Sequence, residues 1–186
     1  MNAVAEAACA APDETTTTPD GIVLKRSLLY KGLAKLSASL EQLAPDAIDH
    51  AIVFDPITGL MQAVNAPGFL PTDGDQYPDE LIQRAKDLDF AGFRDWAIPH
   101  VQQEIRSVDY TRTGPAADPQ LYPDMVSDWY LCQQTQWTLD EAGSSRSFWY
   151  VYSLNGNVDG SHANGRFRAR PVRVAAPAGQ WLVIGQ

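Results

Sequence analysis

Cysteine, histidine and positive charge are all scarce in this chain of 186 residues. It has 2 Cys, 3 His, and 14 Lys plus Arg against 23 Asp plus Glu, for a formal net charge of -9. With acidic residues so far in excess, a clustered phosphate-neutralising patch is not expected, and nor is nucleic acid as a partner. An acidic chain still suits a basic protein surface. Cys9 lies in a tail of Ala, Thr and acid and Cys132 in an apolar run, so neither a mutual disulfide nor a metal site made of cysteine alone is expected. No window approaches the roughly 18 consecutive apolar residues of a spanning helix, so no membrane insertion is expected. The opening "MNAVAEAACAAPDETTTTPDG" has no basic start, and Glu6 breaks its alanine run, which argues against a signal peptide.

The words of catalysis are missing too. There is no Gly-x-Ser-x-Gly elbow, and His50, His100 and His162 stand without a nucleophile at a recognisable spacing. Carboxylates are abundant, but nothing ties two of them to one site. No His, Cys and carboxylate spacing reads as a metal site. The expectation is a chain that is not an enzyme and carries no cofactor and no metal.

What is present reads as a tail, an extension and one domain. Residues 1–20 cannot offset the entropy of ordering and read as a flexible tail. Over Ser27 to Leu43 the leucines 29, 33, 36, 40 and 43 recur at spacings of four and three. The pattern predicts a helix, packed on its own domain or used for oligomerisation, within an N-terminal extension at 21–48. From 49 to 186 the character is mixed. "HAIVFDPITGLMQAVN" predicts two strands joined by a turn at 55–59, and "YPDELIQRAKDLDFAG" predicts a helix with Pro78 at its start and Leu81, Ala85 and Leu88 on one face. In "GFRDWAIPHVQQEI" Pro99 suits a helix entrance. Gln103 stands where a capping-box partner would be, although His100 is a poor N-cap, and a helix over about 99–108 would show Val101, Ile105 and Val108 on one side. A proline- and glycine-bearing loop follows at about 109–128, of a length that is usually functional or mobile. The last third reads as antiparallel strands with turns at Asn155-Gly156 and Asn164-Gly165. Phe148, Tyr150 and Tyr152 alternate with Trp149 and Val151, so both faces of that strand should be covered. Arg166, Arg168 and Arg170 share one face, and repulsion argues against burying all three.

Four words carry a resemblance. "DPITGLMQ" contains Asp55, Thr58 and Gly59; "GFRDWAIPH" contains Asp95, Trp96 and Pro99; "DWYLCQQT" follows; and "RARPVRV" ends with Arg170 and Arg173. In this order they resemble the domain family at the C-terminus of the Legionella collagen-like adhesin, common in bacterial and phage proteins. The resemblance implies an α+β, C-type lectin-like fold with two helices against antiparallel strands, and it makes those residues scaffold. Ala97 and His100 depart from the family's Arg and Thr. The calcium words of sugar-binding lectins are absent.

In such a fold the ligand face comes from the late strands and their loops. Here these offer Trp129, Tyr130, Asn155, Asn157, Asp159, His162, Asn164 and Arg166 as ligand-binding candidates, flat rings beside short polar groups that suit a glycan or a protein epitope. The expected function is a non-catalytic recognition module for a cell-surface glycan or protein receptor, oligomeric or assembled through residues 1–45, on a phage particle or bacterial surface. A structural virion component and a small acidic intracellular effector inhibiting a host protein are the alternatives. The corresponding locations are a particle surface if the chain is phage-derived and the cytoplasm otherwise.

Overall fold

The computed structural model describes residues 14–134, 147–162 and 164–175. The chain is α+β, as expected: two short helices lie against antiparallel strands. Strands β1 (Thr15–Thr17) and β2 (Val23–Lys25) form a two-stranded sheet. Strands β3 (Ala34–Leu36), β4 (Ile52–Phe54), β5 (Leu60–Ala63) and β9 (Val172–Val174) form a second sheet in the order β3-β4-β5-β9. Strands β6 (Trp129–Gln134), β7 (Ser147–Tyr152) and β8 (Asn157–His162) form a third, in sequence order.

The helix expected over Ser27 to Leu43 does not form. Lys31, Gly32 and Leu40 take left-handed backbone angles, φ 52°, 81° and 67°, which cannot be accommodated within a right-handed helix. The chain makes a turn and then β3, and Leu24 and Leu36 enter the core with Ile52, Phe54 and Met61. The 21–48 segment is therefore strand and turn joined to the main sheet, not a helical arm. The tail expectation for residues 1–20 falls partly outside the described residues, and β1 occupies Thr15–Thr17.

The hairpin at 52–63 forms with Phe54 opposite Met61. Ile52 and Phe54 face one core cluster and Val53 the other, so the sheet is covered on both sides. Helix α1 (Pro78–Asp87) starts at the proline and buries Leu81 and Ala85 against Leu131, Phe148 and Phe167 of the third sheet and its neighbour. Helix α2 is a single turn, Val101–Glu104, followed by a 3-10 turn at Ile105–Ser107. Gln103 Oε1 accepts from the His100 N–H at 2.8 Å, as its spacing suggested. Its inner face differs from expectation, for Glu104 and Ser107 are buried while Val101, Ile105 and Val108 are half-buried. The reason is local: Ser107 Oγ donates to the Glu104 carbonyl at 2.8 Å, and Val108 leaves the helix to bridge Ala117. The 109–128 loop packs inward as well, with Leu121, Tyr122 and Met125 in the cluster of Val53 and Tyr130.

Candidate functional site

The four sequence words build the frame on which the late strands rest. Asp55 closes the β4–β5 turn by accepting from the Ile57 and Thr58 N–H groups at 2.9 and 3.3 Å and from Thr58 Oγ1 at 2.6 Å, and it also holds Arg106 at 2.5 Å. Gly59 completes that turn at φ 74°. Trp96, 2% exposed, donates its indole N–H to the Phe90 carbonyl at 3.1 Å. Arg173 makes a two-pronged pair with Asp95 at 2.8 and 3.2 Å and lies over the Phe93 ring. This pairing holds the Asp95 carboxyl below its ordinary pKa.

The three arginines at 166, 168 and 170 escape mutual repulsion because each meets a different setting. Arg170 is buried and pairs with Asp124 at 3.1 Å. Arg168 is partly covered between Asp128 at 2.8 Å and Asp75 at 3.4 Å. Arg166 is exposed, with its guanidinium 4.8 Å from the Tyr77 ring centroid. Burial, then the neighbouring Asp128, raise the Asp75 carboxyl pKa.

On this frame the third sheet presents an aromatic shelf. Register places Trp129 opposite Tyr152, Tyr152 opposite Asn157 and Tyr150 opposite Asp159, so these five side chains share one face. Trp129 is 40% exposed. Its ring stacks on Tyr150 with centroids 5.2 Å apart and 24° between planes, and Tyr152 meets it edge-on at 6.4 Å. Phe167 supports both Trp129 and Tyr150 from within, at 6.3 and 6.0 Å. Asn157 and Asp159 are exposed beside the rings. Burial and the neighbouring Asp159 raise the Tyr150 phenol pKa.

Of the eight candidates, the structure brings Trp129, Asn157 and Asp159 together. Tyr130 is a correction: alternation turns it to the other face, where it is 4% exposed and part of the core. Asn155 is exposed but serves the turn, its Oδ1 accepting from the Asn157 N–H at 3.1 Å. Asn164 is exposed in a separate turn, and Arg166 stands at Tyr77. The His162 side chain lies outside the described residues. Tyr150 and Tyr152 belong to the shelf although they were not among the candidates. Their signal was the alternation of Phe148, Tyr150 and Tyr152 beside Trp129.

The turn that carries Asn155 also requires glycine. Gly156 has φ 79°, and a Cβ there would stand 2.5 Å from Val108 Cγ1 and 2.7 Å from Tyr110 Cε1. Gly156→Ala is expected to lower stability by about 1–2 kcal/mol from left-handed strain alone, and more through those contacts. A thermal melt equal to that of the wild type would refute this.

Among the described residues no three His, Cys, Asp or Glu side chains are grouped to hold a metal, and no helix is long and apolar enough to cross a membrane. A family model described as Lcl C-terminal domain matches residues 51–173. The family is adhesin-associated, consistent with a surface binding module, and is not a known enzyme family. No curated protein and no solved structure matches the chain.

Proposed function

The chain belongs to the Lcl C-terminal domain family, and on that premise we propose that it is a non-catalytic recognition module, binding a cell-surface glycan or protein receptor as part of a bacterial surface or phage assembly. The ligand face in this reading is the shelf of Trp129, Tyr150 and Tyr152 with Asn157 and Asp159, which is built on late strands, where the resemblance to a C-type lectin-like fold implies a ligand. The observation that carries this reading is Trp129, a large ring left 40% exposed yet held in place by stacking on Tyr150. A pre-positioned ring covers an apolar sugar face or a side chain with little loss of entropy. The amide and carboxylate beside it supply hydroxyl or amine partners.

The test is retention of the fluorescently labelled full chain on a printed array of neutral, sialylated and sulfated glycans and matrix proteins. Wild type is expected to be retained by one class of spot, and Trp129→Ala to lose affinity at least about tenfold, the scale of an aromatic hot spot. Unchanged retention of the variant, or no retention of the wild type by any spot, would sink the proposal.

A further inference from the structure

A concavity of about 400 Å³ opens away from the shelf, where Lys31 and Leu33, the 106–111 segment and the 118–122 part of the long loop meet. Its floor is fixed. Asp118 and Tyr122 are buried at 4% and 3% exposure. Asp118 Oδ2 accepts from Lys31 Nζ at 2.6 Å and from the Tyr30 hydroxyl at 3.1 Å. The two sides are tied by the Val108 to Ala117 bridge and by the Asp109 N–H to Ala116 carbonyl bond at 2.9 Å.

The rim, by contrast, is accessible. The Lys31 and Arg106 side chains are about half exposed, and Tyr110 is 67% exposed with its hydroxyl donating to the Gly156 carbonyl at 3.4 Å. Tyr110 thus stands as a ring wall beside charged donors and acceptors. Those charges cancel: Lys31 faces Asp118, Arg106 faces Asp55, and Arg112 faces Asp109 at 3.3 Å. An ionic ligand would be desolvated on entry and meet no net opposite charge. A neutral polyhydroxylated ring would meet charge-assisted donors and acceptors, which bind roughly twice as strongly as neutral ones. The volume also falls within the range of about 300–1,000 Å³ of small-molecule sites.

We infer that this cleft is a second binding site, for a neutral pyranose sugar, in which Tyr110 covers the C–H face of the ring while Lys31, Arg106 and Asp109 meet its hydroxyls. It shares with the proposed function only the premise of a binding module, because none of its residues belongs to the Trp129 shelf.

The experiment is an NMR titration of the ¹⁵N-labelled full chain with the methyl glycosides of glucose, galactose, mannose and N-acetylglucosamine, with glucuronate and glucosamine as charged controls. At millimolar concentration at least one neutral glycoside is expected to shift amides in 106–111 and 118–122, and the charged controls to shift them less. Tyr110→Ala, at an exposed position, should weaken that response about tenfold, while Tyr110→Phe and Trp129→Ala retain it. The inference is overturned if no neutral glycoside moves these amides, if the charged controls move them equally, or if Tyr110→Ala responds like wild type. Shifts confined to Trp129, Tyr150 and Asp159 would overturn the cleft site while supporting the shelf.

Discussion

Arg170→Met is expected to cost about 3–5 kcal/mol of folding stability, the range for breaking a buried ion pair from one side. Arg170 is 2% exposed, donates to the Ala63 carbonyl and to Asp124 at 3.1 Å each, and has its guanidinium 4.8 Å from the Tyr122 ring centroid and 5.9 Å from that of Tyr130. Methionine fills much of the volume but leaves the Asp124 carboxylate, with an 8% exposed side chain, without its cation. The double variant Arg170→Met/Asp124→Leu should recover most of the loss, because replacing both partners removes the stranded charge. Urea denaturation of the four proteins in the cycle measures both effects. A single-variant loss below about 1 kcal/mol, the scale of an exposed pair, would show that the pair does not anchor the interior.

The second large effect is expected with pH. Glu104 is 1% exposed, and burial pushes its carboxyl up to about 7, against the opposing pull of Arg170 and of Ser107 Oγ at 3.4 Å. Its Oε2 has no hydrogen-bond partner among the described residues. Among the described residues, Asp124, Tyr122, Tyr130 and Cys132 are further titratable groups that interact with it. The folded pKa lies above the unfolded one, so the contribution is fully present below about 4.5 and lost as pH rises to about 7. A shift from 4.5 to about 7 corresponds to about 3 kcal/mol. Urea midpoints of the wild type should therefore fall between pH 5 and pH 8 more steeply than those of Glu104→Gln, whose amide cannot ionise. Parallel curves for the two proteins would mean that Glu104 is charged in the folded protein.

Where the sequence was legible, a local rule and the tertiary structure agreed. Pro78 with Asp79 and Glu80 marks the start of α1, and the 55–59 turn follows from Asp55, Thr58 and Gly59. The aromatic alternation of β7 foretells a strand but not its cover: Phe148 and Val151 are buried, whereas Trp149, Tyr150 and Tyr152 are only half-buried, so the expectation of two covered faces does not hold. At Ser27 to Leu43 the rules diverge, because leucines three and four apart fit a helix while Gly32 and two non-glycine residues in left-handed angles make turns. Only the pairing of Ala34 with Phe54 decides between them. Buried charge was the least legible. Lys35 is fully buried, its ammonium donating to the Pro45 and Ala47 carbonyls at 2.6 and 2.7 Å, and Glu104 occupies an inward position that periodicity gives to an apolar residue. Their partners come from distant segments or from backbone, which no spacing rule records. The shelf was half legible for a similar reason: composition marked Trp129, Asn157 and Asp159, but only register excludes Tyr130 and adds Tyr150 and Tyr152.

Recognition at the shelf is tested most directly at the Trp129 indole itself. The measurement is its ¹⁵N–H resonance, assigned by comparison with Trp129→Ala, followed while the full chain is titrated with whatever glycan or protein the array retains. A ligand seated on the shelf moves that resonance together with the amides of Tyr150 and Asp159, at one common half-saturation point. A resonance that stays fixed while the ligand binds would place the binding face elsewhere and contradict the proposed function.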